Sequence, residues 1–306
     1  MPPVPSIDAN GATDPGRVRP VNEDHFLIGQ LDKSLLVVAT SLPADEQRRL
    51  IGAPEGQVLC VADGLGGHAA GEQASSTAVD ATAHYLLHTM PCFFRCRTLS
   101  EDALCEELKA AVQLAQDAVR SRAAAHVAMR GMGTTLTLAF LQWPHVHLVH
   151  VGDSRCYLLR DELRQVTRDH TVLQQWIDEG RLRPGEKTDS KLAHALWNAI
   201  GGSEGEVSVD ITKHDLQPGD TLLLCTDGLV RHVDDVRIRG ILRASENAAT
   251  AVRRLIEAAN DGGGSDNITV VVARMPPAMG PSGSLELRLA QDPPDARGLL
   301  DGQGDD

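Results

Sequence analysis

The stretch Val58-Leu59-Cys60-Val61-Ala62-Asp63-Gly64-Leu65-Gly66-Gly67-His68-Ala69 passes from an apolar run through a single acid into a glycine-rich loop. Val58 to Ala62 reads as a strand, and Gly71 to Met90 as a helix with Ala74, Ala78, Ala81 and Tyr85 at helical spacing. Gly64, Gly66 and Ala69 fit the loose G-x-G-x-x-A dinucleotide fingerprint, but that reading fails twice. It needs a second parallel strand with an acid about 20 residues further on, where this chain has the helical Ala81-Thr82-Ala83-His84-Tyr85-Leu86. Asp63, directly before the first glycine, would also push negative charge toward a pyrophosphate. An EF-hand fails as well. It requires acids at alternating positions and a glutamate at the twelfth, which neither Asp63 to Gly71 nor Asp261 to Asp266 supplies.

Working outward, Asp63 has three counterparts where an apolar run meets glycine or asparagine: Asp24 in Asn22-Glu23-Asp24, Asp227 in Asp227-Gly228, and Asp266 in Asp266-Asn267. Any one of these pairs alone reads as a turn. As a set they suggest a fold that gathers acids into one cleft. Two carboxylates about 4 Å apart repel by roughly 4 kcal/mol at an effective dielectric of about 20, so such a cluster requires cations.

The remaining chain bounds the class. It has 306 residues, 42% hydrophobic, which suits one large soluble domain or two small ones. No apolar run approaches the roughly 20 residues that cross a bilayer, and Met1-Pro2-Pro3-Val4-Pro5 lacks a signal-peptide pattern. The formal net charge of -13 argues against nucleic acid or an anionic membrane as partner. Cys60, Cys156 and Cys225 lie in strand-like runs and read as small buried hydrophobes, while Cys92, Cys96 and Cys105 have poor zinc spacing. The expected compartment is the reducing cytoplasm.

Further strands are expected at Phe26-Leu27-Ile28 and Leu35 to Ala39, with Thr40 to Gln57 as an inserted loop containing Pro43 and Pro54. Ser100 is the expected N-cap of a helix running to about Met129, with Leu104, Leu108, Ala111, Val112 and Ala115 on one face. Thr134 to Phe140, Val146 to Val151 and Tyr157 to Leu159 read as adjacent antiparallel strands, the last two joined by a turn at Gly152-Asp153-Ser154. Residues 169–200 read as a helical excursion, with helices at Val172 to Glu179 and near Lys191 to Trp197. Thr221 to Cys225 and Ile268 to Ala273 are strands, and Ala248 to Ala259 an amphipathic helix between them. Residues 1–11 are set apart as an N-terminal segment, and 275–306, rich in Pro, Gly and Asp, as a disordered tail.

In order, Arg19-Pro20-Val21-Asn22-Glu23-Asp24, Asp63-Gly64-Leu65-Gly66-Gly67-His68, Gly133-Thr134-Thr135, Gly152-Asp153-Ser154-Arg155, Asp227-Gly228 and Asp266-Asn267 resemble the metal-dependent serine/threonine phosphatases of type 2C, in their compact bacterial branch. The resemblance spans residues 12–274. It implies an α+β fold, a four-layer α-β-β-α sandwich of two antiparallel sheets flanked by helices, with residues 169–200 as a small flap beside the site. It implies two Mn²⁺ or Mg²⁺ ions bridged by Asp63, with the Gly64 carbonyl as a further ligand, and Asp24, Asp227 and Asp266 holding them. Glu23 is implied to act through water, Asp153 with Asp227 at a third, weaker position, and Arg19 on the substrate phosphate. The implied reaction is hydrolysis of phosphoserine and phosphothreonine by a metal-bridging hydroxide, without a phosphoenzyme.

Some members carry a histidine two residues after the bridging aspartate as general acid; here that position is Leu65, so the acid is unassigned. His68 and Asp169-His170 have structural readings, a helix start and a cap, and Arg155 is expected in a structural ion pair. The expected partners are phosphorylated proteins and a cognate Ser/Thr kinase, with a monomer as default. Two competing readings share the fold. A scaffold pseudo-phosphatase would lack one or more of the aspartates, and none is missing; a sigma-factor partner-switching phosphatase typically carries a sensor domain, for which the chain has no room.

Overall fold

The computed structural model describes residues 7–36, 49–67, 69–89, 100–183, 192, 195–202 and 205–277. Among the described residues, twelve strands form two five-stranded antiparallel sheets and one short ribbon. The first sheet contains, in order, β1 (Asp8–Asp14), β12 (Ile268–Arg274), β11 (Thr221–Cys225), β8 (Arg155–Leu159) and β9 (Leu163–Gln165). The second contains β10 (Asp210–Asp215), β7 (His145–Val151), β6 (Leu136–Gln142), β3 (Arg49–Ala62) and β2 (His25–Leu36). The ribbon pairs β4 (Gly64–Leu65) with β5 (Gly133–Thr134).

Period-2 alternation explains why these sheets stack and why helices cover both. In β3, Leu59 and Val61 face the other sheet, where they meet Leu222, Leu224, Val271 and Ala273. Val58, Cys60 and Ala62 point the other way, into a core with Ala74 and Ala78 of α1 (Ala69–His84) and Leu104, Leu108 and Val112 of α2 (Glu101–Ala125). Leu223, Cys225, Val270 and Val272 do the same on the first sheet, against α5 (Asp235–Ala244) and α6 (Ala248–Asp261). Strands apolar on both faces are thus buried on both faces. The result is the expected α-β-β-α sandwich.

Several boundaries depart from the sequence reading, each for a local reason. The first sheet begins at Asp8, ahead of residue 12, because Asp8 to Asp14 pairs with Arg274 to Ile268 despite poor strand propensity. Arg49 to Gln57 belongs to β3 rather than to a loop, and residues 37–48 lie outside the described residues. Pro54 is tolerated there because it faces Asp32 where the β2–β3 register shifts, beyond the Gln57 to Val61 segment that also pairs with β6. Phe26 to Leu36 is one strand, not two. Gly152-Asp153-Ser154 is no hairpin: β7 belongs to the second sheet and β8 to the first, so this turn carries the chain between layers.

The helices follow their caps. Ser100 Oγ accepts from the Ala103 N–H at 3.3 Å and starts α2, which ends at Ala125 before a 3₁₀ turn at Val127–Met129. The first helix ends at His84 and continues as a π turn through Thr89. In the excursion, Thr171 caps α3 (Val172–Asp178). The second expected helix is absent at 195–197, where Leu196 bridges to Thr171, and Lys191, Ala193 and His194 lie outside the described residues. The polar β9 and β10, the short α4 (Asp227–Val230) and α5 were not foreseen.

Order also extends past residue 275. Met275 is buried, and its N–H donates to the Asp220 carbonyl at 2.8 Å. Residues 278–306, like Cys92 and Cys96, lie outside the described residues. No helix among the described residues is long and apolar enough to cross a membrane.

Leu224 is 0% exposed between the two sheets. Leu224→Ala is expected to cost about 2–5 kcal/mol, read as a lower urea midpoint with an unchanged slope.

Candidate metal centre

Register places the acids before any side chain is considered. His25 pairs with Ala62, so Asp24, entering β2, lies beside Asp63, leaving β3. Cys225 pairs with Val270, so Asp227, two residues past β11, lies at the same sheet end as Asp266, two residues before β12. Asp153 sits in the turn that crosses from the second sheet to the first. All five carboxylates therefore arrive at one end of the sandwich. They influence one another: Asp63 feels Asp24, Asp227, Asp153 and Asp266.

The two Asp-Gly pairs have a steric cause. A side chain at Gly64 would strike the backbone carbonyls of Gly71 and Glu23, and one at Gly228 would strike the carbonyl of Asn267. Glycine lets the segment bearing one aspartate press directly against the segment bearing the next.

Hydroxyl and amide groups then fix the acids. Thr226 and Thr269 each donate to Asp24 Oδ2 at 2.8 Å. Asp24 Oδ1 is buried and has no partner. Burial, reinforced by Asp227 and Asp266 and opposed by the two threonines, pushes the Asp24 carboxyl up to about 7. The Asp63 backbone is held by the Thr134-Thr135 pair: its N–H donates to Thr135 Oγ1 at 2.9 Å, and its carbonyl accepts from Thr134 Oγ1 at 2.8 Å. Burial and then its acidic neighbours raise the Asp63 carboxyl well above the usual range. Asp153 is pushed up to about 7 by burial, then by Asp227 and Asp169.

Burial also raises Asp227, opposed by Arg231, whose guanidinium binds Asp227 Oδ2; Asp227 Oδ1 is a second buried oxygen without a partner. Asp266 is forked by Arg19, with Nε to Oδ1 at 2.8 Å and Nη2 to Oδ2 at 2.9 Å, and Arg231 reaches its Oδ2 at 3.2 Å. Glu23 is anchored through its backbone: its N–H donates to Asn267 Oδ1 at 2.9 Å, and its carbonyl accepts from Ser75 Oγ at 2.6 Å. Its carboxylate lies against Gly71, where any side chain would strike Glu23 Oε2.

The donor set fits a divalent cation. It is all oxygen, it carries several formal charges, and two buried carboxylate oxygens await a partner. As the side chains stand, no three acidic, histidine or cysteine groups among the described residues converge as a metal shell. Arg19 and Arg231 hold Asp266 and Asp227 instead.

Sequence reading missed Thr226, Thr269, Ser75, Asn267 and Arg231. Two of these are adjacent to a quoted aspartate, and Arg231 lies one helical turn after Asp227, so spacing carried a faint signal. The expected Arg155 ion pair is present, to Asp169 at 2.7 Å. Asp169-His170 does not cap the helix: His170 is buried, its N–H donates to the Gly152 carbonyl at 2.7 Å, and its Nδ1 accepts from the Gly152 N–H at 3.1 Å. His68 lies outside the described residues.

A family model described as protein phosphatase 2C matches residues 38–269. The chain belongs to the protein phosphatase 2C family. It is 41% identical over 222 residues to the serine/threonine protein phosphatase PstP of Mycobacterium tuberculosis, covering 71% of this chain and 40% of that protein. The serine/threonine phosphatase stp of Listeria innocua is 32% identical over 268 residues, covering 87% of this chain and 95% of that one. A crystal structure of the catalytic domain of PstP in complex with two manganese ions superposes with a TM-score of 0.66 at 36% identity, covering 89% of this chain and all of that one. The chain thus spans only about two fifths of the full length of PstP.

The carboxylate shifts set a pH dependence for metal binding. With Asp24 and Asp153 titrating near 7 in the folded protein, a cation must displace protons below that pH and need not above it. The rise in melting temperature that Mn²⁺ produces over EDTA is expected to be small at pH 5 and to grow through pH 7 to 8. Differential scanning fluorimetry at matched ionic strength checks this, and a rise that is flat or shrinks with pH would contradict it.

Proposed function

We propose that this chain is a metal-dependent protein serine/threonine phosphatase. The observation that carries the reading is the convergence of Asp24, Asp63, Asp153, Asp227 and Asp266 at one end of the sandwich, with two buried carboxylate oxygens unpartnered and Arg19 at the rim. In this reading Asp63 would serve both of two Mn²⁺ or Mg²⁺ ions, with the Gly64 carbonyl as a further ligand, and Asp24, Asp227 and Asp266 would complete the protein ligands. Glu23 acts through water, and Asp153 with Asp227 offers a third, weaker position. The manganese bound to the PstP catalytic domain supports the choice of metal.

The chemistry divides between metal and protein. Bound divalent ions lower the pKa of a coordinated water enough to make hydroxide available near neutral pH. The chain's own residues do the positioning. Thr226 and Thr269 fix Asp24, and Thr134 and Thr135 fix the backbone of Asp63, so both carboxylates keep one orientation. Half-exposed Arg19 presents a planar fork that matches a phosphoryl group and offsets charge as the transition state forms. No covalent nucleophile is called for. Cys60, Cys156 and Cys225 are buried in the sheets with their thiols raised far from reactivity.

The substrates in this reading are phosphoserine and phosphothreonine proteins of the cytoplasm, opposite a Ser/Thr kinase. PstP and stp, relatives named as serine/threonine phosphatases, support the substrate class.

The test is hydrolysis of a phosphothreonine peptide by metal-stripped protein with Mn²⁺, Mg²⁺ or EDTA. Turnover is expected with Mn²⁺ and none in EDTA. Asp227→Asn is expected to lower kcat by roughly a hundredfold or more with an unchanged circular dichroism spectrum. Wild-type turnover by that variant would sink the metal assignment. A folded wild-type protein inactive with every divalent metal would favour a scaffold role instead.

A further inference from the structure

Arg231 is the residue of the site that the proposed reaction leaves without a task. It ends α4 one turn after Asp227, and its N–H donates to the Asp227 carbonyl at 3.0 Å. Helical geometry therefore returns its side chain over the aspartate. The guanidinium bridges two acids that are far apart in sequence, Nη2 on Asp227 Oδ2 and Nη1 on Asp266 Oδ2 at 3.2 Å. Both are proposed metal ligands. Arg231 holds only part of what they offer, since Asp227 Oδ1 is buried without a partner.

Its exposure matters as much as its contacts. Arg231 is 46% exposed, so the guanidinium can swing into water without opening the core. Arg19 also forks Asp266, whereas the direct ion pair of Asp227 among the described residues is with Arg231, Arg19 acting on it only at longer range. A guanidinium resting on Asp227 Oδ2 and Asp266 Oδ2 repels a divalent ion brought to the same two carboxylates and takes up lone pairs that the ion would use.

We propose that Arg231 is a built-in counter-cation that competes with divalent metal for Asp227 and Asp266, and so sets the metal concentration at which the site fills. This rests on the phosphatase reading and concerns the regulation of that same site. The bridge steadies two adjacent acids when metal is scarce and weakens apparent affinity when metal is supplied. Arg231 is a positioning residue in this scheme, acting on the ligands and not on the substrate.

The sign of one measurement separates competition from simple support. Mn²⁺ binding to the full chain, stripped with EDTA and dialysed, is titrated calorimetrically for wild type, Arg231→Lys and Arg231→Gln. Competition predicts the weakest Kd for wild type and the tightest for Arg231→Gln, by roughly threefold to tenfold. Lys falls between them, because one ammonium cannot fork both carboxylates. It also predicts a lower melting temperature for Arg231→Gln in EDTA that matches wild type at saturating Mn²⁺. A merely structural arginine would give weaker binding on removal. Equal or weaker Mn²⁺ affinity in Arg231→Gln therefore overturns the proposal while leaving the phosphatase reading intact. Should that variant not fold, Arg231→Lys binding no tighter than wild type has the same force. Absence of Mn²⁺ binding by all three proteins overturns the metal site and this proposal together.

Discussion

Mutual repulsion among buried carboxylates is the constraint around which this molecule is arranged. Five aspartates share one end of the sandwich, and burial, with the neighbouring acids adding to it, drives Asp24 and Asp153 up to about 7. Each further acid raises the rest, since two charges at about 4 Å repel by roughly 4 kcal/mol even at an effective dielectric of about 20. A cluster of this kind persists only if something else holds the backbone in place. Here that is the pairing of β1 with β12 and the stacking of two sheets, which join the first and last strands of the sandwich.

The local devices that answer the repulsion are of two kinds. Hydroxyls and amides grip atoms that cannot move: Asn267 Nδ2 donates to the Pro15 and Val21 carbonyls at 3.0 Å each, while its Oδ1 receives the Glu23 N–H. That one side chain fixes the loop carrying Arg19, Glu23 and Asp24 to the loop carrying Asp266. Guanidiniums grip carboxylates from the solvent side. Arg19 and Arg231 are about half exposed and pair only with Asp266 and Asp227 in the site. Rigid backbone and exchangeable charge are thus assigned to different residues, which is what a site that loads and releases cations requires.

Much of this was legible in the sequence because the acids stand at strand ends, where apolar runs break at Asp-Gly or Asp-Asn. The layer order was expected from the family resemblance, and strands buried on both faces fit it. What escaped reading was written in commoner letters. Thr226 and Thr269 look like any strand-flanking threonine, and only the β11–β12 pairing brings both to Asp24. Strand β1, Asp-Ala-Asn-Gly-Ala-Thr-Asp, has the composition of a turn; it extends because β12 offers a free edge and because Gly11 leaves room for the Phe26 ring. Gly152-Asp153-Ser154 has the signature of a hairpin turn, and only the three-dimensional stacking makes it a crossover. Pro54 misled for the opposite reason: a residue with no N–H, which normally ends a strand, lies at a register shift in the β2–β3 pairing.

The two ends of the carboxylate row differ in stiffness. Asp153 sits in a corner clamped from several sides. Gly152 exchanges two hydrogen bonds with His170, whose Nδ1 also accepts from Asn198 at 2.8 Å and whose Nε2 therefore carries the proton it donates to Asp210 at 3.1 Å. Ser154 is tied to Thr135, which in turn receives the Asp63 N–H, and Arg155 is forked by Asp169. These bonds also fasten both stems of the 169–200 excursion, at His170 and Asn198, to the corner that carries Asp153. Asp266 is held less completely: its Oδ1 accepts from the Asn267 N–H at 3.0 Å, and its other partners are two half-exposed arginines that water can reach. Preorganisation is therefore concentrated around Asp63 and Asp153, and adaptability where the two half-exposed arginines meet solvent. A site built this way orders its buried acids by packing and leaves its solvent-facing charges free to respond to whatever cation or anion arrives.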